Sequence, residues 1–106
     1  ESRKRWMLSG LCTVGEIMID DGASTALQEG SHSLLAAGIK GVIGSFQRGA
    51  IVSVLNGRRD QIAVGIANYD SDEMAKVMGR HSKWIEELLG HHYGDEMVHR
   101  NNMVTL

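Results

Sequence analysis

The 106-residue sequence contains no proline and a single cysteine, Cys12. Without a second thiol no internal disulfide can form, which excludes the cross-linked framework of a small secreted module. Cys12 itself reads as a small buried thiol, since no activating pattern surrounds it. Without proline, every sharp bend must be made by the 13 glycines or by Asn and Asp, whose backbones tolerate turn conformations. Aromatic residues are only 5% of the chain, and Phe46 and Trp84 read as packing residues rather than stacking platforms. No apolar run approaches the ~18–20 residues of a membrane span, and no charged-then-apolar leader is visible. The expectation is a cytoplasmic chain with no membrane partner. Neither sign of charge dominates either. Eleven Lys+Arg against thirteen Asp+Glu leave −2 with His neutral, short of the strongly basic balance of a dedicated nucleic-acid binder.

What is present is the composition of one globular domain. Hydrophobic residues make up 42% and charged residues 23%, which argues against disorder. A chain of this length supports one core, burying roughly 65% of the surface it exposes when unfolded. The chain opens with Glu1-Ser2-Arg3-Lys4-Arg5-Trp6 rather than Met. A basic, polar start leading into an aromatic reads as the exit from a linker, so the expectation is a piece of a larger protein.

Short β-branched runs bounded by turn residues predict strands at Glu16–Asp20, Ile39–Ile43, Ala50–Leu55 and Gln61–Ala67. Asn56-Gly57 between the last two is a hairpin signal, and the polar Arg58-Arg59-Asp60 that follows widens the expected loop. The tail reads as strand–turn–strand, Met97–His99 and Met103–Leu106 around Asn101-Asn102. Three short helices punctuate these runs. The first is capped by Asp21, presents Ala23, Ala26 and Leu27, and stops at Gly30. The second starts at the capping-box pattern Asp70-Ser71-Asp72-Glu73 and shows Met74, Val77 and Met78 on one face. The third is capped by Ser82, carries Ile85, Leu88 and Leu89, and ends at Gly90. About six short strands with three short helices cannot build a doubly wound sheet, which needs longer crossovers. The predicted class is mixed α/β, mostly β, in a compact barrel-like fold.

No catalytic set assembles from these residues. Neither phosphate-cradling glycine signature occurs, and Gly38-Ile39-Lys40-Gly41 matches the nucleotide-clamping G-x-x-G loop only outside its required helix–helix context. His99-Arg100-Asn101 places an amide where a kinase loop needs a carboxylate, and an amide cannot accept the proton. His99 therefore reads as a hydrogen-bonded structural residue. Glu87 and His91 share helical spacing, but Gly90 intervenes and H-E-x-x-H is absent, so no metal site is expected. His91 and His92 read instead as solvated residues offsetting a helix dipole. The serines of Gly30-Ser31-His32-Ser33 lack the spacing of a nucleophile elbow. Arg3, Lys4 and Arg5 cluster, as do Arg58 and Arg59; the other cations are scattered.

Three segments in order, Gly15–Ala23, Gly30–Ile39 and Gly44–Gly49, resemble a PUA domain, a small pseudo-barrel of mixed strands and helices. Asn68-Tyr69-Asp70-Ser71, Gly79-Arg80-His81-Ser82, Ile85-Glu86, Leu89-Gly90 and Val98–Val104 are similar to the C-terminal PUA domain of the bacterial glutamate 5-kinase family. The sequence departs from the pattern at Leu34-Leu35-Ala36, where the family usually has Leu-Leu-Pro. The resemblance implies that residues 1–14 are the exit from an N-terminal amino-acid-kinase domain and 15–106 the PUA domain. It implies a parent enzyme, a homo-oligomer, that uses ATP and Mg²⁺ to phosphorylate the side-chain carboxylate of glutamate in proline biosynthesis. This chain by itself would hold no catalytic residue, metal or cofactor, and its main partner would be the kinase domain, as an accessory or regulatory module. The alternative implied by other PUA domains is RNA binding through the loop after the first helix. That loop carries over to Gly30, Ser31, Ser33, Leu34, Gly38 and Lys40, with Arg48 and Arg80 joining in three dimensions.

Overall fold

The structure, a computed structural model, describes residues 13–106. The clusters at Arg3–Arg5, the residue Cys12 and most of the expected linker lie outside the described residues. Six strands form one sheet: β1 (Gly15–Ile19), β2 (Leu34–Leu35), β3 (Ile39–Ile43), β4 (Ile51–Leu55), β5 (Gln61–Ala67) and β6 (Glu96–Thr105). The order across the sheet is β2-β6-β5-β4-β1-β3, and it curls into a half-barrel. Only β1 and β4 pair in parallel; the other neighbours are antiparallel. Three helices, α1 (Asp21–Glu29), α2 (Ser71–Val77) and α3 (Ile85–Leu89), complete the fold.

The strands follow from apolar patterning. Along β1, Ile17 and Ile19 are fully buried while Glu16 and Met18 face partly outward, the period-two signature of a half-buried strand. Val52 and Val54 of β4 and Val98 of β6 are also fully buried, and Leu27, Met74 and Ile85 bring one residue from each helix into the same core. The turn between β4 and β5 is wide, as the polar residues implied. Asn56 Oδ1 accepts from the amides of Arg58 at 2.9 Å and Asp60 at 3.0 Å, closing the loop.

Several boundaries differ from the sequence expectation, each for a local reason. The cap of α1 is Asp20, whose Oδ1 accepts from the Ala23 amide at 2.7 Å, so Asp21 is the first helical residue. The capping box at α2 forms as expected: Asp70 accepts from Glu73 N while Glu73 accepts from Asp70 N. Ser82 is not a cap. His81 Nδ1 accepts from Lys83 N at 3.1 Å and opens a 3₁₀ turn, Ser82–Trp84, that leads into α3. Trp84 is 38% exposed rather than packed, and Leu88 and Met78 are likewise exposed, so the expected apolar stripes end short of them. Leu34–Leu35, expected within the loop after the first helix, instead forms a short strand paired with β6 at Val98 and Glu96.

The tail shows the largest difference. Asn101-Asn102 does not reverse the chain; β6 runs through it as one strand. Between the pairs Gly65↔Met103 and Ala67↔Val98, two steps on β5 oppose five on β6, so residues 99–102 are pushed out as a bulge. Gly65 permits the close approach, because a Cβ there would sit 2.5 Å from Val98 Cγ1 and 3.1 Å from Asn102 O. His99 stabilises the bulge by accepting from Asn101 N at 3.1 Å through Nδ1, the structural role expected of it.

Candidate functional site

The bulge in β6 builds the site. It carries Arg100 to the loop between α1 and β2, where its amide donates to Ser33 Oγ at 2.9 Å and Nη1 donates to Ser31 O at 3.1 Å. The loop turns sharply after α1: Gly30 and Ser31 both adopt left-handed φ, +84° and +65°. Leu34 is then drawn into the core, leaving Ser31 and His32 exposed at the tip. Three shallow concavities surround this loop. One of about 360 Å³ is largely apolar and separates Ala23, Ala26 and Leu27 of α1 from Leu34 and Leu35. One of about 270 Å³ holds His32 and Arg100 beside Thr105. The third, about 310 Å³, holds His32, His99, Arg100 and Glu96.

The predicted site residues divide. Gly30, Ser31, Ser33, Leu34 and Gly38 line this region. Gly38 is part of the 3₁₀ turn Ala36–Gly38, and its carbonyl accepts from the Asp20 amide at 2.9 Å. Lys40, Arg48 and Arg80 line none of the three concavities. Lys40 faces a separate cleft with Arg58. Arg80 points toward Trp84, 6.0 Å from its ring centre. Arg48 is held elsewhere, donating through Nε to Asn68 O at 3.0 Å and lying 4.1 Å over the Tyr93 ring. Arg100 is the cation at this loop that the sequence pattern did not single out. It reaches a loop 67 to 69 residues earlier only because β6 bulges, and no local pattern announces that.

A second polar cluster surrounds Tyr93. The buried Tyr69 hydroxyl donates to Gly94 O at 2.6 Å and accepts from Tyr93 N at 2.8 Å, anchoring the segment between α3 and β6. Burial pushes the Tyr69 phenol above its ordinary value of 10.0, helped by the nearby Glu73 and Asp95 charges and opposed by the Tyr93 backbone bond and Arg48. Asn68 Nδ2 ties the same segment down through Glu96 O at 2.9 Å. His91 contacts Glu73 of α2, not Glu87, because the chain leaves α3 at Gly90 and turns back across α2. Among the described residues no three His, Cys, Asp or Glu side chains are grouped to hold a metal ion. No helix among them is long and apolar enough to cross a membrane.

A curled mixed sheet closed by short helices, with an exposed loop after the first helix, is the fold shared with solved PUA domains. The chain belongs to the PUA domain family, whose model matches residues 15–89. A solved PUA domain from Aeropyrum pernix K1 superimposes with a TM-score of 0.59 at 32% identity, covering 82% of this chain and 43% of that one. The fold alone is shared with a chain of an H/ACA RNP bound to a substrate RNA, with a TM-score of 0.57 at 22% identity, over 82% of this chain and 23% of that one. The particular relatives are glutamate 5-kinases. Across all 106 residues the chain is 47% identical to glutamate 5-kinase of Dehalococcoides mccartyi (strain CBDB1) and 46% identical to that of Vibrio vulnificus (strain YJ016). It spans 28% of the length of each.

Proposed function

We propose that this chain is the C-terminal accessory domain of a glutamate 5-kinase, and that it acts through its exterior on the ATP-dependent kinase rather than by chemistry of its own. One observation carries the reading: identity of 43–47% over the full chain with proteins of that name, in which this domain is only 28–29% of the length. Around the loop, the surface supports contact with protein more than with a polyanion. The groove beside α1 is largely apolar, with half-exposed Leu35 on its rim, and Lys40, Arg48 and Arg80 line none of the concavities there. Phosphoryl transfer and its Mg²⁺ and ATP belong, on this reading, to the remainder of the parent. The test compares the full kinase with a form lacking this domain, then adds the 106-residue chain back. Mg²⁺ dependence or proline inhibition should change on removal; identical kinetics in both forms would overturn the regulatory role.

RNA binding is the second reading, and the observation favouring it is Arg100 beside His32 and the Ser31–Ser33 loop. One arginine neutralises few phosphates, so the log–log salt slope should be shallow, roughly −0.7 per contact for a single strand. No binding to a structured RNA at about 50 mM salt would remove this reading.

A further inference from the structure

The roomiest concavity described, about 660 Å³, lies on the opposite side of α1 from the loop groove. Helix α1 is amphipathic. Ala23, Ala26 and Leu27 face the loop groove, while Asp21, Thr25 and Gln28, spaced three and four apart, form the polar wall of this cleft. The facing wall combines Lys40 of β3 with Asn56, Gly57 and Arg58 of the β4–β5 turn. Neither the Lys40 ammonium nor the Arg58 guanidinium has an ion-pair or hydrogen-bond partner among the described residues. Two cations from separate elements, neither of them in an ion pair, therefore line one polar cleft. The Arg58 backbone is fixed beforehand, since Asn56 Oδ1 accepts from its amide and from that of Asp60. Asp21 is the one anionic group on the lining.

The geometry points to a phosphate-binding site here, for a nucleotide-sized ligand that also carries a hydroxyl or amino donor. Lys40 and Arg58 supply the charge, and the fork of Arg58 offers paired donors to phosphate oxygens. The Thr25 hydroxyl and Gln28 amide add neutral donors, and Asp21 accepts from the ligand's own donor. The volume falls within the range of small-molecule sites, roughly 300–1,000 Å³. A nucleoside phosphate and one nucleotide of an RNA strand share this chemistry. The site is independent of the regulatory reading and uses no residue of the Gly30–Leu35 loop.

The test is amide NMR of the 106-residue chain at low salt, titrated separately with inorganic pyrophosphate, adenosine monophosphate and a short single-stranded oligoribonucleotide. Saturable shifts should map to Thr25, Gln28, Lys40 and Arg58. The double variant Lys40→Gln/Arg58→Gln should weaken binding at least about tenfold, whereas Lys76→Gln, at an exposed cation of α2 outside the cleft, should leave it unchanged. Asp21→Asn should weaken adenosine monophosphate more than pyrophosphate. Preference for the oligonucleotide at these same residues assigns the site to strand phosphates; preference for the monophosphate assigns it to a free nucleotide. Absence of saturable shifts up to about 10 mM of every probe, shifts confined to the Gly30–Leu35 loop, or unaltered binding by the double variant overturns the proposal.

Discussion

Gly38→Ala tests whether a residue of the candidate loop is glycine for packing or for ligand access. A Cβ at this position would lie 2.6 Å from Ala23 Cβ and 3.9 Å from Leu34 Cδ1. Carbon atoms rest at about 3.5–4.0 Å, so the overlap with Ala23 is about an ångström. Neither side can retreat cheaply. Ala23 is held to the Asp20 cap at 2.7 Å, and the Asp20 amide donates to Gly38 O at 2.9 Å, which ties the two backbones together. Overpacking of this kind costs about 1–3 kcal/mol. Reduced unfolded-state freedom offsets about 0.4–1 kcal/mol of it, since Gly38 has no positive φ to forbid alanine. The net expectation is a loss of about 1–2 kcal/mol, or a fall in Tm of about 5–10 °C for a domain this size. Ala23→Gly removes the obstructing methyl at up to about 1 kcal/mol of helix propensity. In the double variant the clash is gone, so the two changes should couple favourably by about 1–2 kcal/mol in urea denaturation. Additivity within about 0.5 kcal/mol, or a neutral Gly38→Ala, would refute the packing account.

Tyr69→Phe should cost about 1–3 kcal/mol in chemical denaturation, because Gly94 O and Tyr93 N lose their partner. The wild type should also show an alkaline dependence. Since the folded phenol is pushed above 10.0 mainly by burial, stability is full below that pH and falls as pH rises through and beyond it, where only the unfolded chain ionises. Tyr69→Phe should lessen that fall; an equal slope in both proteins assigns it to other groups. Asp20→Ala and Asp70→Ala should each cost about 1 kcal/mol of thermal stability as lost caps, whereas Asp21→Ala should cost clearly less. Equal costs at Asp20 and Asp21 would contradict the observed cap.

The sequence by itself determined what depends on near neighbours. Alternating Ile17 and Ile19, the Asp70–Glu73 capping box and the turn at Asn56-Gly57 were legible because strand period, helix caps and turns are set within about four residues. The family was legible too, since its motifs recur in order along the chain. Only the tertiary structure decided which cations share a face. Lys40 met Arg58, Arg100 reached Ser31 and Ser33, and Arg48 settled on Tyr93. The bulge of β6 opposite Gly65 and the promotion of Leu34–Leu35 to a strand arise from pairing between residues tens of positions apart. Such pairing answers to packing and register across the sheet, which no local stretch of residues encodes.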